Sequence, residues 1–118
     1  MDKKEANLCF HFSERLKSSL FLLSGALTGL EGMKGERLEG GKEVAKLVLG
    51  ALRNELGFAA RLLPQVEVNS INKKLLEMEG DLEFHDYSKA REDLAKTLST
   101  VTTLSNKYIT TLMEEGLI

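Results

Sequence analysis

The chain has 118 residues, 42% of them hydrophobic, which is enough apolar material for one core and suits a single domain covering 1–118. Acidic and basic residues are interspersed and the formal net charge is −2, so the composition argues against non-specific binding to nucleic acid or to an anionic membrane surface. The single cysteine, Cys9, excludes an internal disulfide and favours a reducing, cytoplasmic location.

The N-terminal region begins like a targeting segment, because Lys3 and Lys4 precede an apolar run, LFLLSGALTGL. Charged residues such as Glu14 and Lys17 interrupt the region between them, and the run is far shorter than the roughly 20 residues that span a bilayer. The sequence therefore predicts neither a signal peptide nor a membrane partner, and the apolar side chains are expected to pack against protein.

A first helix is predicted over residues 5–30, where apolar residues recur at steps of three and four and so line up on one helical face. Further apolar residues widen this stripe beyond a two-stranded seam, so we expect the helix to contact more than one neighbour. The stripe consists of Cys9, Phe12, Leu16, Leu20, Leu23, Leu27 and Leu30, and the residues that widen it are Phe10, Phe21, Leu22 and Ala26.

A glycine-rich stretch follows the first helix and has five of the chain's ten glycines in residues 29–43, GLEGMKGERLEGGKE. A phosphate-binding loop needs Gly-Lys followed by Ser or Thr after a strand. Here Lys42 is displaced by one position, Glu43 stands where the hydroxyl belongs, and a helix precedes the stretch. The sequence therefore predicts a flexible connector whose glycines end the first helix.

A second helix is predicted from about Glu43 to Leu63, where Pro64 ends it by removing a hydrogen-bond donor. Gly50 and Gly57 lie on one side of this helix, and their missing side chains permit the close approach of another helix or of a ligand, of which the helix is the favoured interpretation. The apolar stripe consists of Ala45, Leu49, Leu52, Leu56, Ala59 and Leu63.

A shorter third helix is predicted to begin at Asn69 or Ser70 and to end at Gly80, which suits a left-handed C-terminal position. The fourth helix is predicted to begin near Asp86 or Ser88 and to end near 115. Eight serines and threonines between 97 and 111 lower its helix propensity, but the apolar spacing still favours a helix. Its stripe consists of Tyr87, Ala90, Leu94, Leu98, Val101, Ser105, Tyr108 and Leu112.

These elements predict an all-α fold, an up-and-down bundle of four main helices. The first and last helices are longer than the third, so part of their apolar surface is expected to lack a partner within the chain. Large exposed apolar patches are uncommon on monomers, which predicts a dimer formed through helix faces.

Part of the last helix, EDLAKTLSTVTTLSNKYI at residues 92–109, resembles the Glu-rich helix of the all-α nucleoside triphosphate pyrophosphatases, the MazG-like group. In that group a Glu-Glu-Leu-Ala-Asp start precedes an apolar helix. The resemblance implies a helical bundle, usually dimeric or tetrameric, that hydrolyses nucleoside triphosphates to monophosphate and pyrophosphate with magnesium held by carboxylates.

The resemblance implies magnesium ligands on the second and fourth helices, where it points to Glu55, Glu92 and Asp93. Asp93 stands for the glutamate of the group's Glu-x-x-Asp pair, and Lys96 occupies the place of the aspartate. A lysine at this position removes a ligand and adds a competing positive charge, so the implied site is incomplete. A second acidic set matches both motifs in letters but falls in or beside predicted loops: Glu36, Glu39, Glu83 and Asp86.

Two functions stay open at this point. The first is a non-catalytic helical bundle without a cofactor that self-associates and acts as a binding or scaffolding module. The second is a divergent magnesium-dependent nucleoside triphosphate pyrophosphatase that would bind a nucleotide. The incomplete acidic set favours the first function.

Overall fold

The structure is a computed structural model that describes residues 2–116, and within them it contains four helices joined by connections of three to five residues. The helices are α1 (Lys3–Glu31), α2 (Gly35–Ala59), α3 (Gln65–Glu83) and α4 (Tyr87–Glu114). Each helix contacts two neighbours, so that the four form a ring with α1 beside both α2 and α4. The bundle measures 53 × 22 × 18 Å. The all-α up-and-down fold is therefore confirmed.

The core of the bundle consists of the apolar stripes that the sequence predicts. On α1 the buried positions from Ala6 to Leu30 follow a strict alternation of three and four residues, the spacing that keeps one face inward. Asp2 begins this helix, because its Oδ1 accepts a hydrogen bond from the Glu5 amide at 2.8 Å. Within the part of the chain that the structure describes, none of the helices is both long and apolar enough to cross a membrane.

The glycine-rich stretch is not a flexible connector, which corrects the expectation for residues 29–43. Only residues 32–34 connect α1 to α2, and Gly35 supplies the left-handed turn with φ of 63°. The helix begins early because Leu38 packs against the core and the stem of Lys42 is buried, which extends the apolar stripe of α2 toward its N-terminus. Gly41 lets the two helices meet, since a Cβ there would lie 2.5 Å from Leu30 Cδ2.

The third helix is also longer than predicted, because α3 begins directly after Pro64 and continues past Gly80. Proline disfavours a helical conformation in the residues before it but not in those after it. The N–H group that it lacks is one that the first helical turn does not need, so proline suits this boundary. Val68 and Leu82 are buried at the two ends, and their packing outweighs the local signals at Asn69 and Gly80. The left-handed residue before α4 is His85, with φ of 57°.

The fourth helix begins as predicted, since the Asp86 side chain accepts a hydrogen bond from the Lys89 amide at 3.1 Å. Four of the eight hydroxyls that lower its helix propensity donate to backbone carbonyls one turn earlier. Thr97, for example, donates to the Asp93 carbonyl at 2.8 Å, and Thr103 donates to the Ser99 carbonyl at 2.9 Å. The threonine-rich segment is therefore compatible with a helix.

The packing around α2 is open. A groove of about 640 Å³ separates part of α2 from α1, and another of about 520 Å³ lies beside Gly50 on the α3 side. A Cβ added at Gly50 or Gly57 would meet nothing within 4 Å. The expectation that these glycines admit a closely packed helix is therefore wrong, because no neighbour fills the space they leave.

Candidate functional site

The three acidic residues implied as magnesium ligands have separate ion-pair partners. Glu55, on α2, pairs with Arg15 from α1. Glu92 is exposed on α4 and pairs with Lys96 one turn later at 3.2 Å. Asp93, although it is the next residue, points inward between α3 and α4 and is 2% exposed. The two neighbours in sequence therefore lie in different environments.

Asp93 belongs to a group of charged side chains that joins α3 to α4, here called the charge cluster, which consists of Lys74, Glu77, Asp81, Lys89 and Asp93. Lys89 Nζ lies 3.1 Å from Asp93 Oδ2 and 3.6 Å from Asp81 Oδ1. Lys74 Nζ lies 3.6 Å from Asp93 Oδ1 and 2.9 Å from Glu77 Oε2. Both oxygens of Asp93 therefore face an ammonium group.

The pKa values of the two aspartates in the charge cluster are shifted in opposite directions. Burial and a hydrogen bond to Asp93 raise the pKa of Asp81 to about 6. Burial alone would also raise the pKa of Asp93, but hydrogen bonds from Asp81 and Lys89 lower it below its ordinary value. Asp81 Oδ2 is buried and has no hydrogen-bond partner among the described residues, so a proton on this carboxyl group removes an uncompensated buried charge.

Three members of the second acidic set contact other groups of the chain. Glu39 Oε2 lies 3.7 Å from Nζ of the buried Lys42, and Glu83 pairs with Lys46. Asp86 caps α4. Within residues 2–116, no three histidine, cysteine, aspartate or glutamate side chains lie close enough to hold a metal ion together. The magnesium ligands that the resemblance implies stay a prediction.

The single cysteine is part of the core. The Cys9 side chain is buried and donates a hydrogen bond to the Leu62 carbonyl at 3.4 Å. Burial raises the pKa of the Cys9 thiol, which lies beside the Tyr108 hydroxyl. A thiol in this environment acts as a small apolar group.

A feature that the sequence did not locate is the outer surface where α1 meets α2, here called the α1/α2 face. It contains two apolar grooves, of about 640 Å³ and about 490 Å³, with the Arg15–Glu55 ion pair between them. The larger is lined mainly by Leu22, Gly25, Ala26, Gly29, Val44 and Val48, and the smaller mainly by Leu8, Phe12, Phe58 and Leu62. Leu22 is 77% exposed and Phe58 87% exposed, so large apolar side chains face solvent here.

The opposite side of the bundle differs from this face. A groove of about 280 Å³ between α3 and α4 is lined mainly by polar residues, which include Glu67, Thr100 and Lys107. The sequence did contain a signal for the asymmetry, because the residues that widen the α1 stripe include Leu22 and Ala26 of the larger groove. That signal predicts an additional neighbour without identifying which side of the helix it covers.

No protein-family model, curated protein or solved structure matches this chain. Its function therefore has to be argued from the charge cluster and the α1/α2 face. The cluster directs the oxygens of Asp93 to ammonium groups of the same chain, whereas the α1/α2 face presents apolar surface that a partner can cover.

Proposed function

We propose that this protein is a non-catalytic four-helix bundle that self-associates through its α1/α2 face and acts as a binding or scaffolding module in the cytoplasm. Its main support is the exposure of Leu22, Val44 and Phe58 along two adjoining apolar grooves. Contiguous apolar surface of this kind is uncommon on monomers and marks interaction sites.

The size of the face suits a protein partner. From Leu8 to Gly29 it follows α1 for about 32 Å at 1.5 Å per residue, and two adjacent helices of about 10 Å each give it a width of about 20 Å. The resulting area of about 600 Å² per copy is close to the roughly 800 Å² per partner of a standard interface. Covering the face therefore provides enough contact for a specific complex.

Sedimentation analysis tests the self-association. We expect a mass well above 13.1 kDa at micromolar concentration, because burial of the α1/α2 face removes apolar side chains from water. A monomer under these conditions would contradict the proposal.

A pair of variants on α1 tests the role of the face. Leu22→Glu places a charge in the larger groove and is expected to weaken self-association more than about tenfold, because the charge loses water on burial. Phe21→Glu is the matched control, since Phe21 is the adjacent residue, is 61% exposed and lines neither groove. The same loss in both variants would show that the interaction does not depend on the α1/α2 face.

A nucleotide panel distinguishes this proposal from the pyrophosphatase alternative. The non-catalytic module is expected to release no pyrophosphate from nucleoside triphosphates with magnesium. Turnover in the wild-type protein that disappears in Asp93→Ala would support the alternative and remove the non-catalytic proposal. Circular dichroism of Asp93→Ala is needed alongside, because Asp93 also joins α3 to α4 through Lys74.

A further inference from the structure

Two charged side chains lie between the apolar grooves of the α1/α2 face. Arg15 and Glu55 are the sole aspartate, glutamate, lysine or arginine residues that line these grooves, and they pair with each other across the two helices. The Arg15 side chain is 72% exposed and that of Glu55 is 32% exposed. A partner that covers the face removes this ion pair from water, so association is favoured when the partner places an acid near Arg15 and a cation near Glu55 as additional hydrogen-bond partners.

A second copy of the chain supplies both charges. In a two-fold dimer the same patch of both copies forms the interface. If the axis runs parallel to the helices, α1 of one copy lies on α2 of the other. Because Arg15 and Glu55 lie at the same level of the bundle, the partner's Glu55 then comes opposite Arg15 and the partner's Arg15 comes opposite Glu55.

A two-fold axis perpendicular to the helices does not bring Arg15 opposite the partner's Glu55. It places α1 on α1 of the other copy, so that Arg15 meets the partner's Arg15 when the axis passes at its level. At any other level, apolar groove covers the Arg15–Glu55 pair of each copy, so the pair loses water and gains no new partner. Like charges in contact and desolvated charges without additional partners each oppose association.

The shapes of the grooves favour the same orientation. An axis parallel to the helices keeps each groove at its own level, so the larger groove of one copy faces the larger groove of the other. Leu22 of each copy then reaches a groove whose α1 wall includes the small residues Gly25, Ala26 and Gly29. These residues leave room for the incoming side chain.

Resting on the self-association proposed above, we infer that the protein forms a two-fold dimer whose axis runs parallel to the bundle. In this dimer α1 of each copy lies on α2 of the other, and Arg15 pairs reciprocally with the partner's Glu55. The α1/α2 face is therefore occupied by a second copy of the chain.

Charge reversal tests the reciprocal pairing by sedimentation equilibrium. Arg15→Glu and Glu55→Arg are each expected to raise the dimer dissociation constant more than about tenfold, because each places like charges together. Mixing the two variants restores a dimer, since each supplies the charge that the other lacks. Arg91→Glu is the matched control, because the Arg91–Glu31 pair, at 2.9 Å, also joins two helices but lies outside the face. Circular dichroism establishes that each variant is folded.

Distances between spin labels test the direction of the axis. Asn7→Cys, Phe21→Cys and Thr28→Cys, each in a Cys9→Ala background, place labels on one side of α1 and outside both grooves. A parallel axis gives three similar distances across the dimer, because every label keeps its level. A perpendicular axis makes at least two of them differ by more than about 10 Å, given the rise of 1.5 Å per residue.

The outcomes separate this inference from the proposed function. A wild-type protein that stays monomeric overturns both. A wild-type dimer with unequal label distances, or one that Arg15→Glu does not weaken, overturns only the two-fold arrangement. Equal distances together with the loss and recovery of the dimer establish it.

Discussion

Asp81 and Asp93 show how two carboxyl groups of one cluster acquire different chemistry. The neighbouring Asp81 carboxyl group and a hydrogen bond from Lys89 Nζ to Asp93 Oδ2 at 3.1 Å favour the charged form of Asp93. Asp81 is 8% exposed, and among the described residues it pairs with one cation, Lys89, whose Nζ lies 3.6 Å from Asp81 Oδ1. The folded protein therefore stabilises the neutral form of Asp81 and the ionised form of Asp93.

This difference predicts a pH-dependent stability. Between about pH 4 and about pH 6 the unfolded chain has released the Asp81 proton while the folded protein keeps it, so the contribution of Asp81 to the free energy of unfolding falls as the pH rises. The shift of its pKa from 3.8 to about 6 corresponds to at most about 3 kcal/mol. An asparagine side chain is neutral at every pH, so Asp81→Asn should lack the decline.

Urea unfolding at several pH values measures the effect. Asp81→Asn is expected to match the wild-type protein near pH 4, the region of the ordinary aspartate pKa, and to be the more stable of the two above pH 6. Glu92→Gln is the control, because this exposed carboxylate on α4 pairs with Lys96 and lies outside the charge cluster. Parallel stability curves for the wild-type protein and Asp81→Asn would show that Asp81 does not keep its proton.

At the scale of one element, α2 contains glycines with opposite roles. Gly41 allows a tight contact between α1 and α2, because a Cβ there would lie 2.5 Å from Leu30 Cδ2 and 3.1 Å from Met33 Sδ. Gly50 has open space on the α3 side, so its missing side chain serves no contact. Glycine lowers the stability of a helix, and close packing offsets this loss at Gly41 but not at Gly50.

Alanine substitution separates these roles. Gly50→Ala is expected to raise the free energy of unfolding by about 0.5–1 kcal/mol, since it improves helix propensity without a clash. Gly41→Ala is expected to lower it by about 1–3 kcal/mol, because Leu30 must move within a packed core. Urea unfolding at one pH compares both with the wild-type protein, and equal effects would mean that the contact between Gly41 and Leu30 does not limit the packing.

At the scale of the whole molecule, the ring of helices is asymmetric. The α1 helix packs extensively against α4, whereas open grooves flank α2 on both sides. The exposed apolar side chains of the α1/α2 face lie beside the groove between α1 and α2. A second copy on this face would therefore cover the part of the bundle that is least protected from water.

Self-association then predicts that thermal stability depends on protein concentration. A partner that binds only the folded state shifts the unfolding equilibrium by mass action. Dilution by about 100-fold should lower the unfolding midpoint of the wild-type protein by about 5 °C. Leu22→Glu should show a midpoint that does not change with dilution, and Phe21→Glu should follow the wild-type protein. A constant midpoint for all three proteins would contradict the proposed coupling.

The sequence determined the fold class and most of the core. Leucines at steps of three and four identify the buried faces of α1 and α2, because a helix brings such positions to one side. Asp86 also identifies the start of α4, since its cap depends on neighbouring backbone groups alone. The early start of α2 and the long α3 were missed, because packing of residues such as Leu38 and Val68 outweighs local glycine and capping signals.

Only the tertiary structure decided where the unused surface lies and what the acidic residues contact. The positions of Glu55 beside Arg15 and of Asp93 beside Lys74 depend on which helices are neighbours, and residues distant in sequence make these pairs. The α1/α2 face likewise exists only because α1 and α2 meet along one side of the ring. Periodicity fixes the direction of side chains around a single helix, whereas the arrangement of helices decides which directions are covered.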